Sequence, residues 1–414
     1  MFCTNCGSQI PDNANVCPYC GTVLSQTPPA APAQQYGQPA YGQPAYGQPV
    51  QGPSVSDRAA SAVRDAQMVF ASSLETIRGE GKYVNLTLAD LFSQVPKKHT
   101  REESDQLAIC GTATTTPDIR DAGRLWMKPW LYSRVLAFGL LVFMGLVSLW
   151  LGFTNPIVLP SIMFVGSFLV PLATLIFFFE ANAPRDISIV EVMQTFLLGG
   201  VLSLVATHVI LVFIPGSDTG SLVPAMLTGL IEELGKLVVV AYAIKRRNRP
   251  TYVLGGLLLG AAVGAGFAAF ESTGYAFEGF LEVWTMAFNP QYLLMAYNAG
   301  FEAVMSSVVL RGMLAIGGHV AWAAVHGAAI AIALDGRAFK PEYLASPVFL
   351  LLFFATVGLH GFWDWMPIRV LFADQIICVV AVWAMLLVLL RRGIAEVNRA
   401  AQVAGAVAST AADA

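Results

Sequence analysis

The chain has 414 residues, of which 56% are hydrophobic and only 12% are charged, and its formal net charge is −3. Soluble domains carry about 25% charged residues, so a soluble fold is excluded for most of this chain. The small net charge says nothing about nucleic acid. The N-terminus opens with cysteines and polar residues instead of a basic and then apolar run, so we expect the first membrane helix to insert as an internal signal-anchor.

Two cysteine pairs open the chain. Cys3 and Cys6 form one CxxC motif and Cys17 and Cys20 form a second, each followed by glycine. Two such pairs close together predict a tetrahedral structural zinc site with four thiolate ligands. Two disulfides are the alternative, but each pair spans too few residues to bridge comfortably. Residues 1–24 are therefore predicted to be a zinc ribbon, and thiols kept as ligands indicate the reducing side of a membrane.

A linker and a juxtamembrane region separate the ribbon from the membrane part. Residues 25–55 contain repeated Gln-Tyr-Gly-Gln-Pro-like units, and proline and glycine at this density predict a flexible linker. Residues 56–130 mix polar and apolar residues and are predicted to be a cytoplasmic region that includes a helix over 56–79. The membrane domain is placed at 131–392, and a cytoplasmic tail at 393–414.

About eight hydrophobic segments are long enough to cross a bilayer, which needs about 20 apolar residues. They lie near 133–153, 157–179, 191–214, 222–244, 253–279, 313–334, 346–367 and 370–390. Loops after the even-numbered spans hold nearly all the basic residues. Cationic loops stay in the cytoplasm, which predicts a multi-pass cell-membrane protein with both termini cytoplasmic. The stretch 294–334 is too long for one span, and 295–311 fits a re-entrant or interfacial helix.

Three charged residues interrupt the fourth span: Glu232, Glu233 and Lys236. Each charge near the middle of a membrane helix costs roughly 2.5–3.5 kcal/mol. Glu232 and Lys236 are four residues apart and share a helix face, so a structural ion pair is one interpretation. That interpretation leaves a second acid over. Adjacent carboxylates in a low dielectric do not both ionise easily, so we expect one to be protonated or metal-bound.

Glu271 continues a row of small residues in the fifth span. Gly256, Gly260 and Gly264 recur at four-residue steps, a pattern that lets a neighbouring helix approach closely. Glu271 extends this row and is expected to face the same partner helix.

Later spans supply histidines. His319 and His326 are seven residues apart and share a helix face with Trp322, and His360 and Asp364 are four residues apart on one face of another span. Together with Glu271 they offer the nitrogen and oxygen donors of a catalytic zinc site, which needs three protein ligands and an open position. His208 has no acidic neighbour in its span and is interpreted as an ordinary buried histidine.

The order of these residues resembles the PrsW family of intramembrane metalloproteases, related to the CAAX prenyl proteases. The matching motifs are EExxK at Glu232–Lys236, FxxxE at Phe267–Glu271, Arg311 followed by His319, and an HxxxD-like pair at His360 and Asp364. The resemblance implies a multi-helix membrane protease whose glutamate pair activates water and whose later Glu and His residues hold metal. Ser272 departs from the family, which usually has Asn at that position.

The leading hypothesis is an all-α polytopic membrane protein, a zinc endopeptidase that cuts membrane-anchored proteins. Glu233 or Glu232 would be the general base, with Lys236 and Arg311 balancing charge or stabilising the oxyanion. Glu271, His319 and His360 would bind zinc, and Asp364 would orient His360 or bind directly. Anti-sigma factors or peptides are the substrates that the family suggests.

Two alternatives stay open. One is a transporter with a buried proton relay, and the other is a non-catalytic scaffold or sensor that uses the ribbon. The expected partners are the substrate, the bilayer and a cytoplasmic protein bound through the ribbon. No basic patch accompanies the ribbon, so no nucleic acid is expected.

Overall fold

The computed structural model describes residues 55–79, 86–122, 128–155, 157–213, 221–247, 249–284, 293–365 and 372–412. The chain divides into two compact units, Met1–Arg58 and Ala59–Ala414, and the architecture below is that of the second. The four ribbon cysteines and nearly all of the predicted linker lie outside the described residues, and their predictions therefore stay predictions.

The described residues form helices and turns without any strand. Four helices precede the membrane part: α1 (Val55–Arg78), α2 (Leu88–Phe92), α3 (Arg101–Ala108) and α4 (Ile119–Ala122). Nine follow: α5 (Leu131–Phe153), α6 (Val158–Ala181), α7 (Ile189–Phe213), α8 (Leu222–Lys245), α9 (Val253–Trp284), α10 (Leu293–Leu314), α11 (His319–Leu334), α12 (Pro347–Trp365) and α13 (Ala373–Ala412). The all-α fold is confirmed.

Seven helical segments are long and apolar enough to cross a membrane. One of them, Asn298–Leu334, combines most of α10 with α11 through a short 3-10 turn. Helix α8 is 24 residues long, but Glu232, Glu233 and Lys236 in its middle keep it out of these seven, and the eighth span expected near 222–244 stays a prediction. The residues before α11 form a 22-residue helix, and its re-entrant character stays a prediction.

Helix α9 is the central element of the membrane domain, because it is buried over residues 253–269 and packs against α11, α7, α6 and α10. The glycine row allows its closest contact. A Cβ atom at Gly260 would overlap the carbonyl oxygen of Ala323, and one at Gly264 would overlap that of His319. The expected partner helix is thus α11, and the two backbones touch where other residues would hold them apart.

A buried carboxylate fixes the start of α5. Glu180, near the end of α6, accepts hydrogen bonds from the backbone N–H groups of Trp130, Leu131 and Tyr132 at 2.9, 2.8 and 2.9 Å. The first N–H groups of a helix lack intrahelical partners, so the acid satisfies them and favours the helix dipole. This explains one buried acid without any catalytic role.

His208 lies on an exposed surface of α7, where its Nδ1 is 2.8 Å from the carbonyl oxygen of Leu204. Its interpretation as a buried histidine is therefore wrong. The ring satisfies one nitrogen on its own helix, so it needs no partner from a neighbouring helix.

We expect Gly260→Ala to destabilise the protein, because the new methyl group must push α9 away from α11. Overpacking of this kind costs about 1–3 kcal/mol. Thermal unfolding of the purified protein in detergent measures the effect. Gly145→Ala in α5 is the matched control, since nothing lies within 4 Å of a Cβ at that position. Equal unfolding temperatures for the two variants would contradict the close contact.

Candidate active site

A cavity of about 280 Å³ lies among α8, α9, α10, α11 and α12. Six of the eight site residues predicted in the membrane domain line it: Glu232, Glu271, Arg311, His319, His360 and Asp364. The other two, Glu233 and Lys236, lie directly behind this wall and are fully buried. Residues spread over more than 130 positions of the sequence thus meet in one place within the membrane domain.

Glu232, His319 and His360 each offer a donor atom, and these atoms lie within 4.8 Å of one another. Oε2 of Glu232 is 3.6 Å from Nε2 of His360 and 3.8 Å from Nδ1 of His319. Zinc bonds of about 2.0–2.2 Å place tetrahedral ligand atoms roughly 3.3–3.6 Å apart, close to these separations. The same Oε2 is buried and makes no hydrogen bond. This donor set therefore fits a metal ion.

Glu233 orients His360. Its Oε1 lies 2.7 Å from Nδ1 of His360 and accepts a hydrogen bond from the N–H group at that position. With the proton on Nδ1, Nε2 of His360 keeps a free lone pair toward the cavity. Metal-binding histidines are commonly held in this way by a carboxylate on their other nitrogen. Glu233 therefore lies one layer behind the cavity wall, in contact with the nitrogen of His360 that faces away from the cavity.

Lys236 neutralises the buried acids. Its Nζ lies 2.7 Å from Oε1 of Glu233 and 3.7 Å from Oε2 of Glu232. It also lies 2.7 Å from Nδ1 of His319 and 4.3 Å from the centre of the Phe267 ring. The sequence paired this lysine with Glu232, and the structure places it closer to Glu233, the residue three positions earlier.

Glu271 and Arg311 form an ion pair on the opposite wall. Oε2 of Glu271 also accepts a hydrogen bond from Nε2 of His319 at 3.0 Å. The Arg311 guanidinium donates to the hydroxyl of Ser272 at 3.0 Å and stacks over the Tyr275 ring. Ser272, which departs from the family pattern, therefore contacts Arg311 and not the metal donors.

Asp364 lies one helical turn after His360, with Oδ2 3.5 Å from Nε2 of that histidine. Its side chain lines the cavity beside the nitrogen that faces the interior. Asp364 is therefore placed where it could orient the His360 ring or bind a metal directly, the two roles expected of it.

Three further residues, which the sequence analysis did not assign to the site, support it. His326 shares a 2.7 Å hydrogen bond with Thr356, and its Nε2 lies 3.5 Å from Oε2 of Glu233. Trp322 stacks on the His360 ring, with centroids 4.5 Å apart. The available signal was helical spacing, because His326 and Trp322 follow His319 by seven and three residues and Thr356 precedes His360 by four.

We expect Lys236→Met to destabilise the protein strongly, because it leaves Glu233 buried without its cation. Breaking a buried ion pair costs about 3–5 kcal/mol. The double variant Lys236→Met/Glu233→Gln should recover much of this loss, since no uncompensated charge is left. Unfolding temperatures of both variants in detergent provide the test. A double variant less stable than the single one would contradict the assigned pairing.

Models of two known protein families match the chain. A model of the zinc-ribbon domain matches residues 2–24, and a model of the PrsW family of intramembrane metalloproteases matches residues 184–390. No characterised protein and no solved structure matches the chain. The second match covers half of the chain and includes every residue of the cavity wall described above. Because the second match covers half of the chain and the cavity lies within it, the chain belongs to the PrsW family of intramembrane metalloproteases and carries an N-terminal zinc ribbon.

Proposed function

We propose that the protein is a zinc endopeptidase that cuts membrane-anchored proteins at or near the bilayer, with Glu232 as the general base. The observation that carries the proposal is the buried, unbonded Oε2 of Glu232, which faces His319 and His360 across the cavity. Polar groups at this depth are costly, and a hydrolytic centre accounts for all of them together.

His319, His360 and Glu271 would hold the metal, in agreement with the sequence hypothesis. The two histidines supply nitrogen donors, and Glu271 lies 3.0 Å from Nε2 of His319. Bound zinc supplies Lewis acidity, which polarises a carbonyl group and acidifies water. Glu233, behind the His360 ring, fixes the orientation of that ring.

Glu232 is assigned as the base by its free lone pair. A general base must accept a proton at hydrogen-bonding distance from the attacking water. Glu271 is already engaged by Arg311 and His319, and Glu233 lies behind the wall against Lys236 and His360. Oε2 of Glu232 is the carboxylate oxygen that borders the cavity and has no hydrogen-bond partner.

The two cations receive different roles. Lys236 is fully buried and bonded to Glu233, so it balances the charge of the acids. Arg311 is 30% exposed and lines the cavity, where its guanidinium has N–H groups beyond those given to Glu271 and Ser272. We assign Arg311 the stabilisation of the developing oxyanion.

The orientation and the partners complete the proposal. The basic loops favour a cytoplasmic position for both termini. In that compartment the thiolates of the ribbon would stay reduced, and the ribbon would bind a cytoplasmic protein. Cysteines introduced at residues 56 and 410 should react with a membrane-impermeant maleimide only after the membrane is opened. Labelling in intact cells would contradict this orientation.

Glu232→Gln should abolish cleavage, because the amide cannot accept the proton, while the zinc content stays unchanged. General-base loss typically costs about 10²–10⁴-fold in rate. New N-termini in the membrane proteome, read by mass spectrometry in cells expressing each variant, report cleavage. Glu278→Gln, at an exposed glutamate outside the cavity lining, is the matched control and should keep full activity. Unimpaired cleavage by Glu232→Gln would exclude it as the base, and loss of zinc would identify it as a ligand.

Zinc stoichiometry tests the two metal sites separately. The wild-type chain should contain about two zinc ions, one in a four-thiolate site and one among the histidines. His319→Ala/His360→Ala should lose one ion, and Cys3→Ser/Cys17→Ser should lose the other. His208→Ala, an exposed histidine, is the control and should keep both. Two ions retained in the His319/His360 variant would contradict a metal centre in the membrane domain and favour the scaffold alternative.

A further inference from the structure

A second cavity, larger than the first, lies between α7 and α8 and has a volume of about 630 Å³. One end is basic, with Arg246, Arg247 and Arg249 just beyond the C-terminal end of α8. The other end is apolar and is lined by Leu198, Leu202, Gly199 and Val239. None of the residues assigned to the candidate active site lines this cavity, so it is a separate feature of the molecule.

The basic end has cationic charge that the protein does not neutralise. Arg247 is bonded to Asp186 at 2.7 Å and to Glu191 at 2.9 Å, and its side chain is 4% exposed. Arg246 and Arg249 are exposed, and their side chains have no ion pair with any described residue. With Asp186 counted, the three arginines and the two acids bound to Arg247 carry a net formal charge of +1, and Arg246 and Arg249 are the cations left without an ion pair among the described residues. An anion is the complementary ligand.

The length and the position of the cavity match one membrane leaflet. Its lining on α7 runs from Val190 to Leu202, twelve residue steps, or about 18 Å at 1.5 Å per step. One leaflet contributes about 15 Å of hydrocarbon. Leu198 and Leu202 are 62% and 51% exposed, so the apolar end opens sideways to lipid. The arginines lie where the spans end, at the level of the lipid headgroups.

We infer that this cavity binds one anionic phospholipid, with its phosphate on Arg246 and Arg249 and an acyl chain along Leu198, Gly199 and Leu202. Arginine forks match phosphate oxygens in a bidentate way, which a choline headgroup's own positive charge opposes. A soluble phosphate would use only the basic end and leave the apolar end unfilled. The charge and the apolar length together therefore select a lipid.

The position also suggests a structural effect. Val239 and Tyr242, both in the cavity wall, follow Lys236 on α8 by three and six residues. A lipid seated there contacts α7 and α8 together and stabilises the helix that carries Glu232 and Glu233. The inference depends on the helical membrane fold and is independent of the proposed protease activity.

Native mass spectrometry of the delipidated full chain in detergent tests the inference. The protein is titrated with phosphatidylglycerol and with phosphatidylcholine of the same acyl chains. Two arginines at a lipid surface favour the anionic lipid by about tenfold or more, so phosphatidylglycerol should bind that much tighter. Arg246→Gln/Arg249→Gln should weaken phosphatidylglycerol binding to the level of phosphatidylcholine and leave the latter unchanged.

The control is Lys245→Gln/Lys340→Gln, which removes the same charge from exposed residues outside the cavity lining. This variant should bind phosphatidylglycerol like the wild type. An equal loss in both double variants would show attraction by overall charge and overturn the inference. Glycerol 3-phosphate is added as a third ligand. Binding as tight as that of phosphatidylglycerol would show that the occupant is a soluble phosphate, which also overturns it.

Discussion

The contact between α9 and α11 is the constraint on which the site depends. Glycines at four-residue steps let the two backbones meet, with Gly264 against the carbonyl oxygen of His319. Glu271 lies two turns after Gly264 on the same side of α9, and this register brings it within 3.0 Å of His319. A larger side chain in the row would separate the helices and with them the carboxylate and the imidazole.

Charge balance is the second requirement, and it is met locally. Lys236 compensates Glu233 in the interior, while Arg311 compensates Glu271 at the cavity wall. Oε1 of Glu233 contacts both Lys236 and His360, and Oε2 of Glu271 contacts both Arg311 and His319. The same carboxylate oxygens therefore meet a cation and a histidine. Glu232 holds no histidine within hydrogen-bonding distance: its buried Oε2 borders the cavity without a hydrogen bond, and Lys236 lies 3.7 Å from it.

Helix α8 lines both of the cavities described above. Its middle carries the acids and the lysine of the candidate active site, and its C-terminal end borders the basic cavity shared with α7. Gly235 packs against Thr207 of α7, where any Cβ would overlap the hydroxyl. The position of α8 against α7 therefore affects both sites, and a lipid between these helices would act on the geometry of the acids from about two turns away.

The sequence by itself determined the helical membrane fold, because apolar stretches of bilayer length have few other structures available. It also determined the family and the set of polar residues in the cavity, since charges within such stretches are too costly to be incidental. Tertiary structure alone decided the pairing. The spacing along α8 favoured an ion pair between Lys236 and Glu232. In the folded protein Lys236 lies closer to Glu233, and His326, which is hydrogen-bonded to Thr356, lies 3.5 Å from the same acid. The tertiary structure also showed His208 on an exposed surface, because one helix's pattern does not reveal which of its faces a neighbour will cover.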